Sequence, residues 1–283
     1  MGSDRVQNYY DSFPEEYSRL DESEPPHHRL EFERTFEYLT SVLPEDDSLT
    51  ILDAGGAAGK YTDKLAELGH TVHLCDLSRG QLDSAYERHR NTKSVHISQQ
   101  SITDLAYPDD YFDMTLCLGG PLSHILERDA QERAVSELQR VTAVNKDVIV
   151  SVMSRHSALL LAINRGVFFD KLDELSILTE VASTGKYEGY DMGFTDTYFY
   201  TESELRTLLE DNELEVENSI GLESVTSILS TSSGDAEVNG EIAQVLKDTV
   251  DIVEESGGTP PDMSSHFLIH ASVIGEGSET DWF

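Results

Sequence analysis

The chain has 283 residues, of which 54 are acidic and 20 are basic, so its formal net charge is −34 at pH 7. This length allows one large domain or two small ones, and a hydrophobic fraction of 38% is enough to build a core. Because phosphate groups are bound by Lys and Arg, the acid excess disfavours direct binding to nucleic acid or to an anionic membrane.

The first half of the chain alternates helix and strand patterns. Apolar residues at helical spacing predict a helix over Leu30–Leu43, which ends before Pro44. A short strand at Leu49–Ala54 then leads through a turn of small residues into a second helix at about residues 59–68. Ser78 is a plausible N-cap for the helix that runs to about residue 90. Further strands are predicted over residues 71–76, 95–99, 112–118 and 148–153, with a helix over residues 129–141.

This alternation breaks after Ser154. Residues 155–200 combine helical fragments with many aromatic side chains, which predicts an insertion over one end of the sheet. Regular patterns resume with a capping box from Thr201 to Glu204, which begins a helix that ends near Asn212. Two further strands, over residues 214–220 and 266–273, flank a helix over residues 237–253.

These patterns predict an α/β fold with a Rossmann-like, doubly wound sheet of seven strands, mostly parallel, in which the last strand is antiparallel. We divide the chain into a helical arm or lid (1–48), a core (49–154), an aromatic cap (155–200) and a C-terminal completion of the sheet (201–283). Cys75 and Cys117 lie on strands that are not neighbours, ~9–10 Å apart, which is beyond the ~7 Å limit for a disulfide. Both are expected to be core residues, and no cluster of metal ligands accompanies them.

The most informative segment is the turn that follows the first strand, ILDAGGAAGKY at residues 51–61. Its small residues let a ligand approach the backbone, and the helix after it offers free N–H groups. A P-loop would need Gly at Ala54 and Ser or Thr at Tyr61. A dinucleotide fingerprint would need glycines at Ala57 and Lys60. The turn matches neither pattern.

The spacing that fits is D-x-G-x-x-x-G at Asp53, Gly55 and Gly59, which resembles the first motif of class I S-adenosylmethionine-dependent methyltransferases. Asp76 ends the second strand, where an acidic residue can accept both ribose hydroxyls. A cationic cofactor without phosphate also tolerates carboxylates around the loop. Ala57 stands where the family has its middle glycine, and its methyl group could crowd the methionine part of the cofactor.

The resemblance continues over residues 74–78, 100–105 and 112–125, which are similar to the family's later motifs. It implies S-adenosylmethionine as cofactor and S-adenosylhomocysteine as product, with the adenine between Ser101 and Ile102. Family members often place a basic residue near the methionine carboxylate, and Arg29 or Lys60 could fill this role. The cofactor contacts that the resemblance implies are Asp53, Gly55, Gly56, Gly59, Tyr61, Asp76, Leu77, Ser101, Ile102, Leu118 and Gly119, with Tyr17 and Arg29 from the arm.

Methyl transfer to a hydroxyl or a protonated amine needs a base that removes a proton. His124 follows the loop after the fourth strand and is the first candidate for this catalytic role, with packing or capping as the alternative. His156, just after the fifth strand, is a weaker candidate. The N-terminal tyrosines Tyr9, Tyr10 and Tyr17 resemble segments that cover the cofactor in related enzymes, although a core-packing arm would have the same pattern.

The sequence therefore predicts a methyltransferase for a small-molecule acceptor. An NAD(P)-binding oxidoreductase of doubly wound fold and a non-catalytic S-adenosylmethionine-binding protein stay open as alternatives. The methylated atom is not disclosed, nor is the oligomeric state, for which a homodimer is one option.

The dispersed acidic residues and the seven lysines resemble the composition of proteins from extreme halophiles. At ~1 M salt the Debye length is about 3 Å, so repulsion between exposed carboxylates is screened. No segment has the ~20 consecutive apolar residues of a membrane-spanning helix, and the first 20 residues do not resemble a signal peptide. We expect a cytoplasmic protein.

Overall fold

A computed structural model describes residues 2–12, 26–44, 47–164, 176–189, 195–224, 226 and 240–275. The predicted cofactor contact Tyr17 lies outside these residues. Within them, no helix is both long enough and apolar enough to cross a membrane.

Seven strands form one sheet in the order β3-β2-β1-β4-β5-β9-β8. The first five strands in the chain pair in parallel, whereas β9 is antiparallel to both β5 and β8. This arrangement confirms the predicted fold class, including the antiparallel last strand. A separate hairpin pairs β6 with β7. The strands are β1 Thr50–Ala54, β2 Thr71–Asp76, β3 Val95–Gln99, β4 Phe112–Cys117, β5 Thr142–Met153, β6 Lys186–Tyr187, β7 Thr197–Tyr198, β8 Leu214–Gly221 and β9 His266–Val273.

The described helices begin close to the sequence signals that predict them. Ser78 caps the fourth helix by accepting a hydrogen bond from the Gln81 N–H, and Thr201 forms the predicted capping box with Glu204. The helices are α1 Gly2–Asp11, α2 Pro26–Val42, α3 Lys60–Glu67, α4 Arg79–His89, α5 Arg128–Val141, α6 Arg155–Asn164, α7 Ser176–Thr184, α8 Glu202–Glu210 and α9 Gly240–Glu255.

The fifth strand begins six residues earlier than the sequence pattern predicts, at Thr142 instead of Val148. Thr142 pairs with Phe112 at the start of β4, and its hydroxyl donates to the Thr115 hydroxyl at 2.6 Å. The register then shifts before Met114 pairs with Asp147. This irregular pairing interrupts the alternation of apolar and polar residues, so periodicity located only the regular second half of the strand.

Successive side chains of a strand point to opposite sides of the sheet. Helices pack on both faces, so both sets of side chains are buried. On one face Ile51, Leu116 and Ile149 pack with α2 and α3, and on the other face Leu52 and Val150 pack with α5 and α8. Cys75 and Cys117 are fully buried and unpaired, as core residues. The layers leave the carboxyl ends of the parallel strands as the edge where a ligand can approach.

A buried arginine joins the segment after β5 to the rest of the chain. The Arg155 guanidinium donates to both carboxylate oxygens of Glu204, at 2.8 and 2.6 Å, and to the Phe199 carbonyl at 3.1 Å. These bonds connect α6, the strand-like segment after β7 and α8. A Cβ at Gly185 would lie 2.3 Å from the guanidinium, so this glycine makes room for the arginine.

Replacing Arg155 with lysine is expected to lower the free energy of unfolding by about 2–4 kcal/mol, because an ammonium cannot make the fork of bonds to Glu204 and Phe199. Urea unfolding at constant salt measures the change. The matched control is Arg128→Lys, whose pair with Glu132 at 2.9 Å is exposed, and which should cost less than about 1 kcal/mol. Equal losses in the two variants would contradict the structural role given to Arg155.

Candidate active site

A cavity of about 750 Å³ opens at the carboxyl ends of the parallel strands. Its walls come from the loop after β1, the end of β2, the turn after β3 and the loop after β4, and helix α1 covers it. This is the position where open α/β sheets bind their ligands, since the loops diverge there.

Close packing around the loop after β1 requires glycine at two positions. The Gly55 N–H donates to the Cys75 carbonyl at 2.7 Å, which draws the loop onto β2. A Cβ at Gly55 would lie 2.6 Å from the Pro121 side chain, and the residue has a φ of +74°. A Cβ at Gly56 would lie 2.4 Å from the Leu74 side chain. Glycine at these positions therefore lets the loop pack against Pro121 and Leu74, and the loop lines the cavity.

Asp76 holds the loop in place with its carboxylate. Its Oδ2 accepts the Ala57 N–H at 2.9 Å, and its Oδ1 accepts the Ser78 N–H at 2.7 Å. Burial raises the pKa of Asp76, against the opposing effect of these N–H groups. Each oxygen keeps a second lone pair, and Asp76 lines the cavity, so the carboxylate can still accept hydrogen bonds from a ligand.

Ala57 adopts a left-handed conformation with a φ of 47°. An L-residue pays about 1–2 kcal/mol for this region. Its N–H bond to the Asp76 carboxylate is charge-assisted and offsets part of that cost. Glycine adopts this conformation without strain, which explains why the methyltransferase family that the motif resembles has a glycine at this position.

Lys60, at the start of α3, places a positively charged side chain at the cavity. Its Nζ lies 3.3 Å from Glu31 Oε2, while the Tyr61 hydroxyl donates to Glu31 Oε1 at 3.0 Å. Burial alone would raise the pKa of Glu31, but Lys60, His266 and the Tyr61 hydroxyl together hold it below its ordinary value. The ammonium therefore sits beside a paired carboxylate and next to Gly119, where an added Cβ would lie 3.8 Å from Nζ.

His124 lies on the short 3-10 helix Pro121–His124, directly after β4. Its Nδ1 is 2.9 Å from the Asp196 main-chain carbonyl, and its Nε2 is 2.8 Å from the Tyr10 hydroxyl. Because a carbonyl only accepts, Nδ1 carries a proton, and in the neutral ring Nε2 has the lone pair. The ring is thus fixed in the tautomer that a general base at Nε2 requires.

Most of the predicted site residues line the cavity, and three do not. Asp53 is fully buried beneath the loop, where it accepts the Thr62 hydroxyl at 2.6 Å. Gly59 makes the turn into α3 with a φ of 86°. Arg29 pairs with Glu33 one helical turn away, at 3.1 Å, and of the two predicted basic candidates Lys60 is the one that lines the cavity. The predicted residues that line the cavity are Gly55, Gly56, Tyr61, Asp76, Leu77, Ser101, Ile102, Leu118, Gly119 and His124.

The cavity wall includes an ion pair that was not found from the sequence. Asp196 lies just before β7, and Arg5 on α1 pairs with it at 3.3 Å. Neither residue belongs to a motif, and the pair joins positions far apart in the chain, so no local signal indicates it. The weaker candidate base His156 is exposed beside Asp262 and does not line the cavity. No cluster of three potential metal ligands occurs among the described side chains.

Residues 51–145 match the family model of a methyltransferase domain. Over these residues the chain is therefore similar to methyltransferase domains. An *Escherichia coli* tRNA 5-carboxymethoxyuridine methyltransferase is 38% identical over 72 residues, which cover 23% of this chain. The ubiquinone/menaquinone biosynthesis C-methyltransferase UbiE of *Vibrio parahaemolyticus* is 30% identical over 92 residues, which cover 30% of this chain.

The fold extends further than these sequence matches. A methyltransferase structure from *Methanosarcina mazei* superimposes with a TM-score of 0.58 and 19% identity, covering 84% of this chain and 98% of that one. By contrast, the matches span only 28% and 35% of the lengths of the two curated relatives. The chain thus spans about a third of the length of these curated relatives.

The residues around the cavity fit S-adenosylmethionine, the cofactor of this domain class. The glycine wall allows close approach, Asp76 offers acceptor positions for hydroxyl groups, and Lys60 offers a cation for a carboxylate. Ile102 and Leu77 add apolar surface to the cavity. No feature of the loop calls for a phosphate, and the acids beside it would repel one.

Asp53→Asn tests the electrostatic cost of the carboxylate beneath the loop. Burial, opposed by the Thr62 hydroxyl and reinforced by Asp76, raises the pKa of Asp53 to about 6. The stability that this group contributes is therefore complete below its unfolded pKa and is lost as the pH rises through about 6. Relative to wild type, the variant should gain about 2–3 kcal/mol above pH 7 and little near pH 4.

Chemical denaturation between pH 4 and 8 measures the difference between the two proteins. Asp104→Asn, at a position where the carboxylate is exposed, is the control and should show no such pH-dependent gain. A difference between wild type and Asp53→Asn that does not change with pH would contradict the assignment.

Proposed function

We propose that this chain is an S-adenosylmethionine-dependent methyltransferase that acts on a small molecule and releases S-adenosylhomocysteine. One observation carries the proposal. The loop after β1, Asp76, Lys60 and the oriented His124 line one cavity, and all of them lie in the segment 51–145 that matches the methyltransferase family model.

The part of the cavity lined by the loop after β1, Asp76 and Ser101, here called the cofactor half, supports an assignment of each cofactor contact to a residue. Asp76 would accept the ribose hydroxyls, and Ser101 and Ile102 would flank the adenine. Lys60 would pair with the methionine carboxylate in place of the predicted Arg29. Leu118 and Gly119, at the end of β4, line the cavity between the two halves.

The charges around the loop favour a cationic cofactor over a dinucleotide. S-adenosylmethionine supplies a methyl group on a positively charged sulfur, and Asp53, Asp76 and Glu31 lie around the loop that would bind it. Asp76 lines the cavity and the other two carboxylates lie behind its wall, so a pyrophosphate bound at the loop would be repelled. The oxidoreductase alternative is therefore disfavoured by electrostatics.

The part of the cavity around His124, here called the acceptor half, supports transfer of the methyl group with the help of a general base. His124 Nε2 would take the proton of the acceptor as its nucleophilic atom approaches the methyl carbon. The Tyr10 hydroxyl holds that nitrogen in the absence of an acceptor and would have to yield it. Helix α1 covers the cavity, so exclusion of water and alignment of the two reactants supply much of the remaining acceleration.

The size of the cavity favours a small acceptor. About 750 Å³ is within the usual range of ~300–1,000 Å³ for small-molecule sites. We further propose that helix α1 of the arm covers the cofactor, that Glu188 and Asp196 of the predicted cap border the acceptor, and that the chain works in the cytoplasm of a halophile. The net charge of −34 and the two buried unpaired cysteines support the last proposal.

Calorimetric titration in ~2–3 M KCl, where carboxylate repulsion is screened, tests the cofactor assignment. S-adenosylmethionine and S-adenosylhomocysteine should bind to the wild type, and NADH should not. Lys60→Met should weaken both at least about tenfold, because the carboxylate of the ligand loses its cation.

Lys64→Met is the matched control on the same helix, since Lys64 pairs with Glu67 at the surface and lies outside the cavity. Binding of NADH alone would overturn the proposal. Release of S-adenosylhomocysteine on addition of an acceptor would distinguish an enzyme from a non-catalytic binding protein.

A further inference from the structure

A buried carboxylate lies in the acceptor half of the cavity. The Asp196 side chain is 3% exposed and lines the cavity, and its Oδ1 accepts no hydrogen bond from the residues that the structure describes. Its ion-pair partner is Arg5, whose side chain is 42% exposed and whose nitrogen lies 3.3 Å away. A buried carboxylate is costly unless a cation compensates it, so this position requires a positive charge.

The cation, Arg5, belongs to helix α1, which covers the cavity and is not part of the core of the sheet. Helix α1 is attached to the start of α4, where Asp11 accepts the Ser78 hydroxyl at 2.6 Å and Gln81 donates to the Tyr10 carbonyl at 3.1 Å. The Arg5 contact to Asp196 is longer than these bonds. Arg5 can therefore be displaced by a ligand that brings its own positive charge.

Helix α1 also contacts His124, the proposed general base. Tyr10 places its hydroxyl 2.8 Å from His124 Nε2 while Arg5 places its guanidinium against Asp196. Asp196 belongs to both contacts, because its main-chain carbonyl fixes Nδ1 of His124. Together these contacts present a cation to the carboxylate and a hydrogen-bonding group to the base. A protonated amine presents both features in one group.

Resting on the proposed function, we propose that the acceptor is a small protonated amine, which displaces Arg5 from Asp196. The ammonium gives one proton to His124 Nε2, and the nitrogen thereby recovers its lone pair. This lone pair forms a bond to the methyl carbon as the carbon–sulfur bond breaks, and the electron pair of that bond goes to sulfur. The products are an N-methylammonium and neutral S-adenosylhomocysteine, with the imidazolium returning its proton to solvent.

The rest of the acceptor is apolar. Val6, Ile125 and Leu126 line the cavity near His124 and offer hydrophobic contact to the body of the amine. Arg133 also lines this half and has no carboxylate within 4.0 Å among the described residues, so an anionic acceptor is the competing class. Arg133 is exposed to solvent, however, whereas Asp196 is buried, and only the buried charge has a strong requirement for compensation.

The test measures binding to the full chain saturated with S-adenosylhomocysteine. The probes are matched amines, alcohols and carboxylates on butyl, cyclohexyl and 2-phenylethyl skeletons. On at least one skeleton the amine should bind at least about tenfold more tightly than its alcohol and its carboxylate. It should also yield an N-methylated product with S-adenosylmethionine.

Two variants separate recognition of the amine from anchoring of helix α1. Asp196→Asn should weaken amine binding at least about tenfold, because the carboxylate is lost. Arg5→Gln should strengthen it by about threefold or more, because the competing cation is lost. If Asp196 only anchors α1, both variants break the same ion pair and shift binding in the same direction, which would overturn the proposal. Asp129→Asn removes an exposed charge on α5 and controls for net charge.

The outcomes also separate this proposal from the one on which it rests. If S-adenosylhomocysteine does not bind, the proposed function fails and the amine proposal fails with it. If S-adenosylhomocysteine binds and no skeleton shows an amine preference, the amine proposal alone is overturned. Preference for the carboxylates would overturn it in favour of an anionic acceptor at Arg133.

Discussion

The Asp76 carboxylate connects the two loops from which the cavity is built. One oxygen holds the Ala57 N–H of the loop after β1, and the other holds the Ser78 N–H at the start of α4. The first bond stabilises the left-handed conformation of Ala57, and the second positions the helix to which α1 is attached. The cofactor wall and its cover therefore depend on one side chain that also faces the ligand.

Although the chain carries a large net negative charge, two acidic residues near the cavity are paired with basic residues. At the surface, acids outnumber bases, but around the cavity Glu31 is paired with Lys60 and Asp196 with Arg5. Each of these two acids thus has a cation that a ligand could engage or replace. Lys60 could pair with a carboxylate of a ligand, whereas a cationic ligand could replace Arg5 beside Asp196. The cavity therefore offers one position that favours a negative group and one that favours a positive group.

Much of the fold was predictable because its signals are local. The seven strands, the helix N-caps and the glycine turn each depend on residues that are close in sequence, and the predicted sheet class is confirmed by the strand order. The early start of β5 was missed because its pairing with Phe112 is irregular and leaves no regular alternation.

The candidate site was predictable in the cofactor half and much less so in the acceptor half. Motif spacing located Asp76 and Gly55, but it could not distinguish Arg29 from Lys60, because the choice depends on how α2 packs against α3. Asp53 matched the motif yet lies beneath the loop. The Arg5–Asp196 pair joins the first helix to the β6–β7 region, and only the assembled fold brings those residues together.

The central claim is that Asp76 binds the ribose of the cofactor while it holds the loop. The most direct measurement compares the affinities of S-adenosylhomocysteine and its 2′-deoxy and 3′-deoxy analogues for wild type and for Asp76→Ala. Loss of a ribose hydroxyl should weaken binding to wild type about tenfold, since a charge-assisted hydrogen bond is lost, and should matter little in the variant. Equal affinities of wild type for all three ligands would contradict the account.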